Sequence, residues 1–200
     1  MNKIKKYLKY LYTLKYIKIL SYISARHLQI TRNENHQNKY LYYYGFQIFY
    51  GAINKGLLLI LLGLLFGILS QILIATLAFC LLRGYIGGLH FDSYTKCAWY
   101  SLTSLTILGL LAKYIPYNPI INLIIFLTLF VIIQTLAPVE NKNRPLKGNE
   151  KTKFKYIAFV LLFAVYGIQA LIGDNNISNC IMYGVLLSGI IALPIFRNVE

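Results

Sequence analysis

The chain has 200 residues, of which 58% are hydrophobic and 13% are charged, and its formal net charge is +14. A soluble domain of this size needs more polar surface, so the composition excludes an ordinary soluble protein and places the chain among helical membrane proteins. Its three cysteines cannot form a closed set of disulfides, which argues against a secreted scaffold linked by disulfides.

The positive charge is sorted along the chain rather than spread evenly. Of the 20 Lys and Arg residues, nine lie in residues 1–40, two in 83–97 and six in 140–155, and the connections at 114–119 and 173–178 hold none. The positive-inside rule therefore predicts the three basic segments and the C-terminus in the cytoplasm. This sorting favours a multi-pass protein of the cell membrane over a nucleic-acid-binding protein.

The N-terminal region interleaves basic and apolar residues. In residues 3–25, lysines alternate with Ile, Leu and Tyr, a pattern typical of a basic amphipathic helix held on the inner leaflet by anionic lipids. A basic arm that only sets the topology explains the pattern equally well. Residues 31–39 are a predicted polar linker, and His27 and His36 in this region are interpreted as ordinary polar residues rather than catalytic ones.

Residues 41–82 are largely apolar and too long for one membrane helix. Because both flanking segments are predicted in the cytoplasm, the stretch must cross the membrane an even number of times, and two crossings with a turn near Gly67 fit. Lys55 then lies inside the first crossing, where a charge is costly. It indicates either a function or a side chain that reaches back to the membrane surface.

Four further crossings are predicted at residues 98–115, 119–138, 154–173 and 178–197. Proline, asparagine and glycine mark the turns at 116–119 and 173–176. The predicted fold is therefore an all-α polytopic membrane protein with about six transmembrane helices, an N-terminal amphipathic helix and both termini inside. Residues 1–40 are predicted as a cytoplasmic arm, and residues 41–200 as a single transmembrane catalytic domain.

A candidate catalytic pair lies in the polar stretch 83–97, between two apolar blocks. His90 and Cys97 are seven residues apart. This is close to two helical turns, so both side chains share one face if the segment is helical. A nearby His raises the reactive thiolate fraction of a Cys, although the spacing alone also allows a structural role for both. Cys80 and Cys180 lie in apolar runs and are interpreted as small buried hydrophobes.

Metal binding is the competing use of these residue types. A structural or catalytic metal needs three or four ligands, and only His90, Asp92 and Cys97 are close together in the sequence, so neither a metal site nor a cofactor is predicted. Asp92 lies two residues from His90, on a different face of a helix, and is interpreted as a cap or a surface charge. Phosphate-loop, dinucleotide-binding and serine-hydrolase motifs are absent.

Two motifs resemble the accessory gene regulator protein B family. The first is RGYIGGLH at residues 83–90, followed by Cys97 seven residues after the His; the second is Ala-Pro at 137–138, followed by a basic stretch and Pro145. The family consists of bacterial membrane cysteine endopeptidases that process quorum-sensing peptide precursors, and the resemblance covers nearly the whole chain. One departure is the basic stretch, since residues 142–144 alternate Lys, Asn and Arg where some relatives have consecutive lysines.

The resemblance implies a thioester mechanism. His90 would activate Cys97, which would attack the scissile carbonyl, release the C-terminal tail of the precursor and hold the remainder as a thioester. An internal Cys or Ser of the precursor would then close the ring of an autoinducing peptide. Arg83, Gly87 and Gly88 are candidates for supporting the oxyanion. Helix breaking or close packing explains the two glycines equally well.

The resemblance also implies partners. Lys142, Arg144 and Lys147 would bind the acidic C-terminal tail of the precursor, on the same cytoplasmic side as the active site. The family resemblance further favours a homodimer, and the basic arm favours contact with anionic lipids of the inner leaflet. The alternative is a peptide exporter or a membrane scaffold without catalytic activity.

Overall fold

Seven helices make up the part of the chain that the structure describes. The computed structural model describes residues 2–32, 36–88, 94–139 and 148–194. The helices are α1 (Asn2–Arg32), α2 (His36–Leu65), α3 (Leu69–Ile86), α4 (Tyr94–Tyr114), α5 (Pro119–Leu136), α6 (Asn149–Leu171) and α7 (Asn175–Ile190). The prediction of an all-α fold is confirmed for these residues.

The chain divides into two compact units, and the first, Met1–Leu58, holds α1 and most of α2. Helix α1 covers the predicted amphipathic helix, but its apolar and basic residues are only weakly segregated onto separate faces over the whole length. The spacing gives the reason. Ile17, Leu20 and Ile23 recur every third residue, so each step falls about 60° short of a full turn and the row of apolar residues winds around the helix.

The predicted linker at 31–39 is wrong in extent. Helix α1 continues to Arg32 and α2 begins at His36, and only the residues between them lie outside the described part of the chain. Polarity alone suggested a linker, but no Pro or Gly in this stretch interrupts a helix. The boundary between a cytoplasmic arm (1–40) and a membrane domain (41–200) stays a prediction, because it concerns topology and not packing.

The second unit, Leu59–Glu200, is built on the antiparallel helices α3 to α7. Helix α7 contacts α3, α4, α5 and α6, so it occupies the centre of the bundle, and 11 of its 16 residues are buried. Small residues allow this close packing. Gly184 of α7 lies against the backbone of Ala75 in α3, and Gly189 lies against the side chain of Leu129 in α5.

Short turns close one end of this bundle, which we call the turn end. The two turns predicted around 116–119 and 173–176 are confirmed, because α4 ends before the first and α6 before the second. Asn118 Oδ1 accepts a hydrogen bond from the Ile120 N–H at 2.9 Å at the start of α5. At the start of α7, Asp174 Oδ1 accepts one from the Asn176 N–H at 2.8 Å. Each side chain satisfies a backbone donor that the first helical turn leaves unpaired.

The predicted turn near Gly67 lies at the same end. Helix α2 ends at Leu65 and α3 begins at Leu69, and Gly67 has a φ angle of 62°. The Gly67 carbonyl accepts a hydrogen bond from Lys113 Nζ at 3.1 Å. This contact ties the turn to the last residues of α4.

Four of the described helices are long and apolar enough to cross a membrane: Tyr40–Leu65 within α2, and α3, α5 and α6. Helix α4 has sufficient length, but Ser and Thr recur through residues 101–106 and lower its hydropathy. Helix α7 has 16 residues, or about 24 Å, which is shorter than the ~30 Å hydrocarbon core. The predicted crossing at 178–197 therefore extends beyond the helix, which ends at Ile190, and the total of six crossings stays a prediction.

Candidate functional site

The opposite end of the second unit, which we call the loop end, gathers the described residues of the predicted site. Helices α3, α5 and α7 end here, and α4 and α6 begin here. Residues 89–93 and 140–147, which connect these helices, lie outside the described residues. His90 and Asp92 belong to the first of these segments, so the pairing of His90 with Cys97 stays a prediction.

Cys97 lies in the first turn of α4 and is half-buried. Unpaired backbone N–H groups give the start of a helix a partial positive charge, which favours an anionic group there. The next residue, Ala98, is buried, and Trp99 is 56% exposed, so the thiol lies at the surface of the bundle rather than in its core. A partly accessible thiol at a helix N-terminus is well placed to act as a nucleophile.

Arg83 lies in the last turn of α3 and is also half-buried. Cys97 begins α4, which packs against α3, so the two residues lie at the same end of neighbouring helices. The structure therefore places two of the predicted site residues at the loop end. A cation in this position can stabilise a negative charge that develops next to the sulfur.

Gly87 and Gly88 follow α3 with φ angles of 78° and 119°, which residues with a side chain rarely adopt. A Cβ on Gly87 would lie 3.0 Å from the Val139 nitrogen, and one on Gly88 would lie 2.7 Å from the Ile191 carbonyl oxygen. Close backbone approach thus accounts for both glycines. The Gly87 N–H already donates to the Arg83 carbonyl at 3.2 Å, and a role for either glycine in binding an oxyanion stays a prediction.

The residues that face the two glycines come from distant parts of the chain. The Val139 N–H donates to the Ile86 carbonyl at 2.8 Å, and Val139 pairs with Gly87 in an isolated parallel bridge. We call Ile86–Gly88, together with Val139 and Ile191, the backbone junction. Ile86, Val139 and Ile191 are all buried. Val139 and Ile191 are not among the predicted site residues. The two adjacent glycines are the sequence signal that another backbone segment approaches the end of α3.

The predicted tail-binding residues Lys142, Arg144 and Lys147 lie outside the described part of the chain. They follow the backbone junction in sequence, beginning three residues after Val139. On the other side of this segment, Lys155 Nζ of α6 donates to the Gln134 carbonyl at 2.5 Å. The ammonium group of Lys155 thus satisfies a carbonyl in the last turn of α5, where a positive charge also complements the helix dipole.

The structure also describes four residues outside the loop end that the sequence analysis discusses: Cys80, Cys180, Lys55 and His27. Cys180 is buried, as predicted, but Cys80 is exposed on α3, so the prediction that it is buried is wrong. In a membrane protein an apolar run can face lipid, so hydrophobicity alone does not predict burial within the protein. Lys55 is half-buried within the candidate span Tyr40–Leu65, and both interpretations, a function or a side chain that reaches back to the membrane surface, stay predictions. His27 is exposed on α1.

The described residues contain no group of three or more His, Cys, Asp and Glu side chains that could hold a metal ion. His90 and Asp92 are outside this search, so the expectation of a site without metal stays a prediction. The chemistry that the described residues support is that of a half-buried thiol at the start of α4, with a guanidinium on the neighbouring helix α3.

Comparisons with known proteins agree on one family. The family model for accessory gene regulator B matches residues 6–192. A putative AgrB-like protein of Clostridium acetobutylicum is 28% identical over 78% of this chain and 75% of its own length. One from Listeria innocua is 29% identical over 78% of this chain and 81% of its own length.

A staphylococcal relative extends the match. The accessory gene regulator protein B of Staphylococcus epidermidis is 24% identical over 86% of this chain and 88% of its own length. No solved structure matches the chain significantly. Because the family model spans residues 6–192, well over half of the sequence, the chain belongs to the accessory gene regulator B family.

Proposed function

We propose that this protein is a membrane cysteine endopeptidase that removes the C-terminal tail of a quorum-sensing propeptide and promotes its cyclisation to an autoinducing peptide. Membership of the accessory gene regulator B family supports a role in processing the regulator peptide. The observation that carries the proposal is the position of Cys97. The thiol lies in the first turn of α4, at the same end of the bundle as Arg83 in the last turn of α3, from which the chain continues to His90.

The proposed reaction has two covalent steps. His90 takes the Cys97 proton, the sulfur attacks the scissile carbonyl, and Arg83 stabilises the oxyanion that forms. The C–N bond then breaks, and the tail leaves as an amine that carries the proton from His90. An internal thiol or hydroxyl of the precursor gives its proton to His90 and attacks the thioester on Cys97. The C–S bond to Cys97 breaks, the ring closes, and the Cys97 sulfur takes the proton from His90, which frees the enzyme.

The order of these steps has an energetic reason. Exchange between two thioesters is nearly balanced, whereas forming a thioester from a peptide bond is uphill. The acyl-enzyme must therefore be protected from water until the internal nucleophile reacts, and a site at the membrane boundary offers such protection.

The substrate tail would be held by the basic segment. Lys142, Arg144 and Lys147 pair with acidic residues of the precursor on the side of the membrane where Cys97 lies. Exposed ion pairs of this kind contribute only ~0.2–1 kcal/mol each and weaken as salt is added. Binding of the acidic tail therefore requires several of these cations to pair with it at the same time.

The thioester can be trapped directly. We expect a precursor whose internal nucleophile is replaced by Ala to form a minor acyl adduct on Cys97, in equilibrium with the intact precursor, because ring closure is blocked, hydrolysis is slow and thioester formation is uphill. Intact-protein mass spectrometry after acid quenching should show the acyl adduct, and hydroxylamine should remove it. Tail release without any adduct in the first turnover, or an adduct resistant to hydroxylamine, would contradict the mechanism.

We propose that the protein lies in the cell membrane as a homodimer and contacts anionic lipids of the inner leaflet. Both termini and the active site would face the cytoplasm. In a variant without native cysteines, we expect Asn175→Cys at the turn end to react with an impermeant maleimide from outside the cell. Asn143→Cys should react only after permeabilisation, because the basic segments stay inside. The reverse pattern of labelling would overturn the topology and the cytoplasmic site with it.

A further inference from the structure

We propose that a groove between α3 and α6 binds an anionic phospholipid, with an acyl chain in the groove and the phosphate group at the lysines that begin α6. The groove belongs wholly to the second unit and uses no residue of the basic arm. The inference rests on the proposed location in the cell membrane and is independent of the reaction at Cys97.

The groove opens at the outer side of α3. Leu77 and Leu81 are 66% and 50% exposed, whereas Ala78 and Leu82, on the other face of the helix, belong to the bundle core. The groove has a volume of about 480 Å³, within the range of roughly 300–1,000 Å³ that is usual for ligand pockets. Six residues line it: Leu77, Cys80, Leu81, Gly84, Tyr85 and Phe154.

Two small residues create the groove. Gly84 has no side chain, and nothing lies within 4 Å of the position that its Cβ would occupy. Cys80 lies one turn earlier on the same face of α3. The rings of Tyr85 and Phe154 pack edge to face, with their centroids 5.7 Å apart. This aromatic pair joins α3 to α6 at the side of the groove nearer the loop end.

The surroundings of the groove favour an apolar occupant. Both α3 and α6 are long and apolar enough to cross a membrane, so a groove on their outer side meets lipid rather than water. Tyr85 directly precedes the last residue of α3, and tyrosine rings are typically level with the lipid head groups. An acyl chain that enters the groove beneath the aromatic pair therefore has its head group at the loop end.

The start of α6 supplies a charge that is complementary to an anionic head group. Three lysines and Glu150 give residues 149–155 a net charge of +2, since three positive charges meet one negative charge. Lys151 is three residues before Phe154 and so lies on the same side of α6. Lys151 and Lys153 are both exposed. Basic residues beside a groove between membrane helices are the arrangement that binds anionic lipid head groups.

The same charge argues against a second copy of this chain as the occupant. Two copies with the same orientation in the membrane would meet on this groove about a two-fold axis, which places the lysines of both copies on one side of the interface. Like charges brought together in this way repel each other. An anionic phospholipid combines an apolar chain with a negative group and therefore matches both parts of the site.

Lipid binding can be measured on the purified protein in detergent. Native mass spectrometry gives an apparent Kd for added dioleoyl-phosphatidylglycerol and for the zwitterionic dioleoyl-phosphatidylcholine. We expect phosphatidylglycerol to bind at least about fivefold more tightly, because only this lipid carries a net charge with which the lysines can pair.

Two variants test the two parts of the site. Gly84→Leu fills the groove, so the acyl chain loses its place beside α3. Lys151→Gln combined with Lys153→Gln removes two positive charges next to Phe154 but leaves the groove open. Each variant should weaken the binding of phosphatidylglycerol by about fivefold or more.

Each variant has a matched control. Gly167→Leu adds the same side chain to α6 at a position where nothing lies within 4 Å of a Cβ and which does not line the groove. Lys15→Gln combined with Lys18→Gln removes two exposed lysines from α1. Both controls should bind phosphatidylglycerol with an apparent Kd within about twofold of wild type.

Cys80 gives a measurement that needs no variant. Its exposed thiol lines the groove, so a bound acyl chain should cover it. Peptide mapping after a short pulse of N-ethylmaleimide gives the rate of alkylation at Cys80. We expect phosphatidylglycerol to lower this rate at least about threefold, and the same concentration of phosphatidylcholine to leave it within about twofold of the rate without lipid.

Several results would show the inference to be wrong. Equal Kd values for the two lipids mean that the lysines bind no head group, and alkylation of Cys80 that phosphatidylglycerol does not slow means that no acyl chain covers the groove. Unchanged lipid binding in Gly84→Leu together with a raised KM for the precursor makes the peptide the occupant instead. A wrong orientation in the membrane is detected separately, by reversed maleimide labelling, and leaves these lipid measurements unchanged.

Discussion

Cys97→Ala is expected to abolish tail release while leaving precursor binding largely intact. Removing the nucleophile removes the covalent step, so cleavage should fall by at least about a thousandfold. The substitution deletes one sulfur atom in the first turn of α4 and leaves Arg83 and the basic segment in place. The precursor Kd, measured by titration of labelled precursor in detergent, should therefore change by less than about threefold.

The other two cysteines are the controls for this experiment. Cys80 is exposed on α3, and Cys180 is buried in the bundle core, so Cys80→Ala and Cys180→Ala test the loss of a thiol outside the site. Both variants should cleave at close to the wild-type rate. Continued tail release by Cys97→Ala would favour an exporter or a scaffold, since neither of these functions needs a thiol at this position.

Local signals explain why the turns of the second unit could be predicted. Asn118 and Asp174 cap the helices that follow them, and both cap bonds involve neighbours within three residues. A residue whose side chain caps the backbone N–H groups of its neighbours can be recognised from a single sequence, because its type and position alone indicate the cap. The segment 31–39 shows the converse: its polar composition predicts a linker, but α1 continues to Arg32 and α2 already begins at His36.

Long-range contacts explain what could not be predicted. The sequence showed two adjacent glycines, but their partners Val139 and Ile191 lie on other segments, and no local pattern identifies them. The same holds for the central position of α7, because no local pattern distinguishes this helix from the other predicted crossings. The prediction that Cys80 is buried is wrong because a residue in an apolar run of a membrane protein can face lipid as readily as the core.

The central position of α7 leads to the largest expected effect on folding. A Cβ on Gly184 would touch the carbonyl oxygen of Ala75 and lie 3.0 Å from its Cα. Ala75 belongs to α3, the helix that carries Arg83 and ends in the backbone junction. Since a backbone carbonyl cannot rotate away, any side chain at Gly184 must push α3 and α7 apart along their contact.

We therefore expect Gly184→Leu to prevent recovery of folded protein, because overpacking against backbone costs upwards of ~3 kcal/mol and the chain has few ways to relax. Gly184→Ala should fold but lose several degrees in apparent Tm, measured as the fraction of monodisperse protein in detergent after heating. Gly167→Leu is the matched control, because nothing lies within 4 Å of a Cβ at that position in α6. Its better helix propensity should leave the protein unchanged or stabilise it by up to about 1 kcal/mol. Equal recovery of Gly184→Leu and Gly167→Leu would mean that α7 does not pack on α3 as closely as the approach of Gly184 to Ala75 indicates.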